Sequence, residues 1–277
     1  MADVKVAAAS QGNRAGKPKN SSNFMTNLII VVACIVVGWV TWKFVLGSDS
    51  NFSDTEKLKA KGVLGLMYQG GFVVPILLAT LFTLLCFVVE RALTIISAKG
   101  KMDAGEFVRK VQYHLANKNV DAAISECDKQ SGSVGNVMRA GLVKYREMTK
   151  NTDLDTEQKV LSIQKEIEEA TALELPMLEK NLVFLSTISS CATLLGLFGT
   201  VLGMIRSFQS MNTAGAPDAA SLAGGISEAL INTALGISTS FIAIIAYNFF
   251  TTIIDGITYG IDESGFTLTQ SFAATYK

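Results

Sequence analysis

The chain has 277 residues, of which 49% are hydrophobic and 17% are charged, and its mean hydropathy is +0.36. Its 24 Lys and Arg residues balance its 24 Asp and Glu residues. This neutrality argues against nucleic acid as the partner, because phosphate binding needs a basic surface. The charged residues are collected into a few blocks between long apolar stretches, and such segregation is typical of a membrane protein.

Four apolar stretches are long enough to cross a bilayer core about 30 Å thick, which takes roughly 18 or more residues. They lie at residues 28–46, 72–96, 182–205 and 229–254. The sequence therefore predicts an all-α integral membrane protein with four transmembrane helices.

The first stretch could also be a signal peptide, since a basic leader precedes a hydrophobic run. We favour an uncleaved anchor for three reasons. The run is long, it ends in Trp39, Trp42 and Lys43 like an interface belt, and it offers no small-residue cleavage site.

Basic residues give the expected orientation. Thirteen Lys and Arg residues lie between the second and third stretches, whereas residues 210–222 contain none. The positive-inside rule therefore places the N-terminus and residues 97–180 in the cytoplasm. Three lysines in residues 47–71 run against this orientation.

Residues 101–150 are predicted to form a cytoplasmic helical hairpin, because apolar residues recur there at helical spacing on both sides of a Gly and Ser break at 132–135. Helical spacing resumes at Asp155 and runs into the third stretch, which predicts one long helix projecting from the membrane. Pro176 lacks a backbone donor and should bend this helix, and a break at Pro176 is the alternative.

No motif indicates an enzyme, a bound cofactor or a metal. The single histidine, His114, has no second ligand at useful spacing, and no nucleotide-binding or hydrolase motif occurs. The four cysteines show neither metal-binding spacing nor a disulfide framework. We therefore expect a protein that works without catalysis and without a cofactor.

The third stretch carries glycines one helical turn apart, Gly199 and Gly203, with Gly196 on the same segment. Small residues at this spacing let helix backbones approach closely in lipid, and Gly225 before the fourth stretch belongs to the same predicted packing set. Thr200 lies among these glycines. It could bond its own helix four residues back, or it could face a partner.

The fourth stretch is an inverted amphipathic helix, with a small and polar face opposite an apolar one. Asn232, Gly236 and Ser240 lie on the polar face, with Glu228 and Thr233 at its margins. Such a stripe lines either a helix interface or a hydrated path. Glu228 is a functional candidate because a carboxylate in a membrane is costly, although it could also lie at the level of the headgroups.

A hydroxyl cannot itself carry a net proton charge across a membrane. Thr200 and Thr233 would therefore line a path, while a titrating acid binds and releases the proton. Besides Glu228, the four stretches offer only Glu90, which lies beside Arg91 and is expected to form an interface pair. We expect the missing acid to come from another subunit.

Two sequence blocks closely resemble the MotA/TolQ/ExbB proton channel family: residues 196–203, which read Gly-Leu-Phe-Gly-Thr-Val-Leu-Gly, and residues 225–236. The likeness covers about residues 73–255. It implies an ExbB-like homopentamer in the bacterial inner membrane around an ExbD- or TolR-like single-span partner, whose membrane Asp takes up and releases protons. In such proteins, the threonines matching Thr200 and Thr233 face that Asp, and Glu228 matches the glutamate of the second block.

The resemblance also implies that the last two transmembrane helices are long, line the pore and extend into a cytoplasmic helical bundle. The expected segments are a disordered basic leader 1–23, an extra N-terminal transmembrane helix 24–46, a periplasmic loop 47–71, a transmembrane helix 72–97, a cytoplasmic helical region 98–180, a pore helix 181–209, a periplasmic loop 210–222, a pore helix 223–254 and a cytoplasmic tail 255–277.

Two departures from the family pattern are expected to matter. The family commonly has three spans rather than four, and it commonly has proline in both pore helices where this chain has Thr193 and Ile242. The implied role is to energise TonB-dependent transport. A TolQ-like stator for envelope constriction, gliding or secretion is the alternative, and a non-conducting scaffold is a third reading.

Overall fold

The structure, a computed structural model, describes residues 20–53, 60–213 and 219–276. Most of the expected leader 1–23 lies outside these residues. The structure is 89% helical, and the described residues contain no strand. The helices are α1 Asn20–Val40, which continues as a π-helical segment Thr41–Leu46, α2 Val63–Gln69, α3 Val73–Lys99, α4 Ala104–Ala116, α5 Val120–Gln130, α6 Gly132–Lys150, α7 Thr156–Glu179, α8 Leu182–Thr213 and α9 Ala219–Thr275.

Four helical segments of the described chain are long and apolar enough to cross a membrane: residues Met25–Leu46, Val73–Lys99, Thr156–Gln209 and Leu222–Thr275. The predicted all-α fold with four span-length helices is therefore confirmed. We call the end of the bundle that carries residues 47–53 and 60–72 the loop side. The opposite end, from which α3, α8 and α9 connect to helices α4–α7, is the domain side.

Helix α9 contains 57 residues and is about 85 Å long at 1.5 Å per residue. Residues 255–277, expected as a separate tail, are mostly the last part of this helix. Leu268 and Phe272 of that part are fully buried, and the Phe272 ring meets the Tyr145 ring of α6 edge to face at 4.8 Å. The end of α9 therefore packs with helices α4–α7 into one helical domain and contributes to its core.

The predicted hairpin over 101–150 is wrong, because three helices fill that range. The missed boundary lies between α4 and α5, where Lys118 has a φ of 53° and the Asn119 side chain accepts a hydrogen bond from the Ala122 N–H at 3.0 Å. The Gly and Ser segment that was expected to separate two helices is the first turn of α6. Gly132 has a φ of 77° there and packs against the carbonyl of Ala98.

The expected continuous helix from Asp155 into the membrane is interrupted, but not at Pro176. Helix α7 runs through Pro176 and ends at Glu179, and α8 begins after Asn181, which has a φ of 64°. Asparagine tolerates this left-handed conformation better than most residues. The junction between membrane and domain helices is therefore a defined turn rather than a proline bend.

Helix α1 packs on α3. At Gly38 the backbones meet closely, since a Cβ there would lie 2.8 Å from the Ala79 nitrogen and 2.9 Å from the Pro75 oxygen. Nearer the domain side, the sulfurs of Cys34 and Cys86 are 3.8 Å apart. The additional first span is thus attached to the bundle through α3.

Candidate functional site

The hydroxyl groups of Thr200 on α8 and Thr233 on α9 are in direct hydrogen-bond contact. Both are half-buried, and both oxygens also lie near the Ala229 carbonyl, at 3.2 Å and 3.3 Å. Two hydroxyls supply only two protons but four lone pairs. The pair can therefore accept a hydrogen bond from a protonated acid or a water, or turn a proton toward a carboxylate.

Glycines bring α8 and α9 together on both sides of this threonine pair. A Cβ on Gly236 would lie 2.8 Å from the Gly196 Cα, and a Cβ on Gly203 would lie 3.0 Å from the Gly225 oxygen. Gly199 packs against the Asn232 side chain, where a Cβ would come within 2.6 Å. Backbone contact of this kind is how helices associate tightly in lipid, so the threonines occupy a fixed crossing.

Three residues expected along the proton path lie instead inside this helix interface. Asn232 is fully buried and Ser240 is 6% exposed, and the Ser240 hydroxyl donates to the Ser189 carbonyl. Gly236 is covered by the backbone of α8. A side chain enclosed by its own chain cannot face a path between chains, so the polar stripe of α9 serves the helix interface at these positions.

A polar group at the loop side, which we call the loop-side cluster, consists of residues 70–72, Arg206, Glu228 and Asn232. An Arg206 nitrogen lies 2.5 Å from a Glu228 oxygen. The guanidinium carbon of Arg206 lies 5.2 Å from the centre of the Phe72 ring. The Asn232 Nδ2 donates to the Gly70 carbonyl at 3.0 Å. The turn between α2 and α3 therefore contacts both α8 and α9.

The sequence did not indicate that Arg206 and Gly71 belong to the loop-side cluster. Arg206 was not singled out, although a cation so near the end of the third stretch could have indicated a partner for Glu228. Gly71 has a φ of 74°, and a Cβ there would lie 2.4 Å from the Glu228 Oε1. In the described structure the buried Asn232 Oδ1 has no hydrogen-bond partner.

A second polar group lies at the domain side, remote from the threonines. We call it the domain-side cluster, and it consists of Glu90, Arg91 and Asn181. Glu90 and Arg91 form the expected ion pair, at 2.5 Å. Arg91 also donates to the Leu178 carbonyl at 3.2 Å, which satisfies an oxygen near the end of α7. Asn181 donates to Glu90 at 3.2 Å and accepts from Asn27 of α1 at 2.8 Å.

The two positions where the family commonly has proline lie within unbroken helix. Helix α8 runs through Thr193, and α9 runs through Ile242, which is 42% exposed. Helices that continue through these positions are what the absence of proline leads one to expect.

The fold and the site define a class: a multi-pass helical membrane protein with a hydroxyl pair held at a glycine crossing of two long helices. A model of the MotA/TolQ/ExbB proton channel family matches residues 130–263. Over this range, which is just under half of its length, the chain is similar to this family. The matched range includes α6 to α8, most of α9 and both threonines. It leaves α1 and α3 outside, whereas the sequence resemblance was expected to begin near residue 73.

Curated relatives carry both ExbB and TolQ names. The Tol-Pal system protein TolQ of Pseudomonas aeruginosa is 36% identical over 126 residues, which are 46% of this chain and 54% of that protein. The biopolymer transport protein ExbB of Neisseria gonorrhoeae is 27% identical over 186 residues, 65% of this chain and 80% of that protein. A putative ExbB-like protein of Synechocystis is 41% identical over 86 residues, 30% of this chain and 41% of that protein. The chain thus spans about half the length of the first of these relatives.

Proposed function

We propose that the chain is an ExbB-like subunit of a motor in the bacterial inner membrane, driven by the proton motive force. In this proposal a homopentamer surrounds an ExbD- or TolR-like single-span partner, the N-terminus is cytoplasmic, and the complex works with a TonB-like protein to energise outer-membrane transport. The observation that carries the proposal is the contact between Thr200 and Thr233. The similarity of residues 130–263 to the proton channel family supports it.

The threonine pair suits a proton-binding carboxyl group from the partner. When that group is protonated, its O–H can donate to a threonine oxygen; when it is ionised, a threonine hydroxyl can rotate and donate to it. Neither threonine has to gain or lose a proton. The glycine crossing holds both oxygens at fixed positions, so a hydrogen bond formed there needs little rearrangement of α8 or α9.

Glu228 has a different place in this proposal. It lies at the loop side, is 13% exposed, and is paired with Arg206. A carboxylate neutralised in this way is a poor proton carrier, but it sets the charge where the path would open. We therefore assign it to the entrance of the path and leave proton transfer at the threonine pair to the partner's acid.

A TolQ-like stator is the second candidate function, favoured by the 36% identity to TolQ of Pseudomonas aeruginosa. Both candidates use the same threonine pair, so the site does not separate them. The neighbouring reading frames do: a TonB-like protein beside the chain favours transport, whereas Tol-Pal proteins favour envelope constriction. A non-conducting scaffold is expected to have neither neighbour.

The test is to co-purify the full chain with the neighbouring small single-span protein and to measure proton flux in liposomes under a membrane potential. We expect flux that requires both proteins and disappears when the partner's membrane Asp is replaced by Asn. A stable complex without flux above empty liposomes would overturn the proton-path proposal and leave the scaffold.

A further inference from the structure

An apolar groove runs between α1 and α3 and is closed at its back by α8. Its volume is about 560 Å³. Its walls are almost wholly hydrocarbon and aromatic, and they include Trp39 and Trp42 of α1, Pro75 and Ile76 of α3, and Phe184 and Ile188 of α8. Each of these residues lies in or beside a span-length segment, so the groove opens to lipid rather than to water.

The length of the groove matches one leaflet. On α3 its lining begins at Phe72 and ends at Thr83, a rise of about 17 Å at 1.5 Å per residue. This is roughly half of a hydrocarbon core about 30 Å thick. The groove therefore extends from the loop-side surface to about the middle of the membrane.

The loop-side end of the groove carries a cation. Lys43 is exposed, and its Nζ lies 5.0 Å from the Trp39 ring centre and 5.8 Å from that of Phe44. No carboxylate of the described residues lies within ion-pair distance of Lys43. A cation beside tryptophans at a membrane surface is the usual partner of lipid phosphate.

We propose that this groove binds one phospholipid per subunit, with an acyl chain along the crevice where α1 meets α3 and the phosphate beside Lys43. A helix of a second copy fits less well, because it would cross the whole membrane whereas the groove covers about half of it. The lipid would lie beside the contacts at Gly38 and Cys34, where α1 and α3 touch.

Most of the groove's lining lies outside the range that the family model matches, since α1 and α3 precede residue 130, whereas Phe184 and Ile188 lie within that range. The bound lipid would be a property of the additional first span. It does not depend on proton conduction, so a chain that proved to be a scaffold could still bind it.

The experiment is native mass spectrometry of the full chain purified in detergent, with added palmitoyl-oleoyl phosphatidylglycerol or phosphatidylethanolamine. Ile76→Trp fills the groove, and Leu85→Trp adds the same ring to an exposed position of α3 outside it. Lys43→Gln removes the cation, and Lys43→Arg keeps it. A tryptophan introduced at either α3 position should leave the helix intact.

We expect wild type and Leu85→Trp to retain one lipid per subunit and Ile76→Trp to retain none. Lys43→Gln should weaken binding of both lipids about fivefold, and Lys43→Arg should not. The proposal is overturned if wild type retains no lipid, or if Ile76→Trp retains as much as Leu85→Trp. Loss of the oligomer in Ile76→Trp with no lipid on wild type would assign the groove to a neighbouring subunit instead.

Discussion

Each end of the membrane bundle carries a polar cluster that contains an arginine, a glutamate and an asparagine. The two clusters differ in how deeply the arginine is buried and in whether the buried polar atoms have hydrogen-bond partners. In the domain-side cluster, Arg91 is 2% exposed and bonds both Glu90 and the Leu178 carbonyl. In the loop-side cluster, the Arg206 side chain is 46% exposed, and the buried Asn232 Oδ1 has no partner in the described structure.

This difference separates a fixed end from an adjustable one. A buried arginine that loses its partners leaves uncompensated charge, so the domain-side cluster holds α1, α3 and the junction between α7 and α8 in one arrangement. The Arg206 side chain is 46% exposed although its partner Glu228 is 13% exposed, so water reaches the arginine and its interactions can be exchanged at lower cost than those of a buried arginine. The loop side is therefore the end where a change of arrangement is easiest.

The largest expected effect comes from replacing the two arginines in parallel. Arg91→Met removes the hydrogen bonds to Glu90 and to the Leu178 carbonyl, and it should lower the free energy of unfolding by about 2–4 kcal/mol. Arg206→Met removes one ion-pair contact from Glu228, and we expect a smaller loss of about 1–2 kcal/mol. The measurements are the amount of protein in membranes and the unfolding midpoint in detergent. Equal losses in the two variants would contradict the distinction between the two ends.

A smaller effect is expected from Gly71→Ala at the loop side. Alanine at a φ of 74° costs about 1–2 kcal/mol, and its Cβ would also displace the Glu228 carboxylate. Gly62→Ala is the matched control, since a Cβ there meets nothing within 4 Å and its backbone is extended. Thermal unfolding in detergent should separate the two variants. If they unfold at the same temperature, the turn does not hold the Glu228 pair.

The smallest effect concerns the contact between α1 and α3. Copper phenanthroline should take two electrons from the Cys34 and Cys86 thiols, which release two protons and form one disulfide. The four thiols of the chain should then fall to two. Burial raises the pKa of Cys127 to about 12, so it should stay unreacted. Cys34→Ser should abolish the change, and an unchanged thiol count in wild type would contradict the packing.

The apolar stretches predicted the span-length helices because length and hydropathy alone decide that question. The breaks at Lys118 and Asn181 escaped prediction because each depends on a single residue in the left-handed region, which lysine and asparagine reveal only weakly. The end of α9 escaped for another reason. Its apolar residues are sparse, and only packing against α6 shows that they are core.

The candidate site was predictable in part. The spacing of Gly196 to Gly203 indicated close packing, and the structure places Thr200 and Thr233 together at that crossing. The helical wheel could not show which polar residues of α9 face α8, so Asn232 and Ser240 were expected along a path although both are enclosed. Arg206 and Gly71 join Glu228 only through tertiary contacts, which no periodicity reports.

Proton flux through threonine variants tests the central claim most directly. Thr200→Val and Thr233→Val keep the side-chain shape and remove one oxygen each, whereas Thr239→Val removes a buried hydroxyl that bonds only the Leu235 carbonyl of its own helix. With the partner present in liposomes, each of the first two should lower flux about tenfold or more, and Thr239→Val should match wild type. Wild-type flux in both Thr200→Val and Thr233→Val would contradict the assignment of the threonine pair to the proton path.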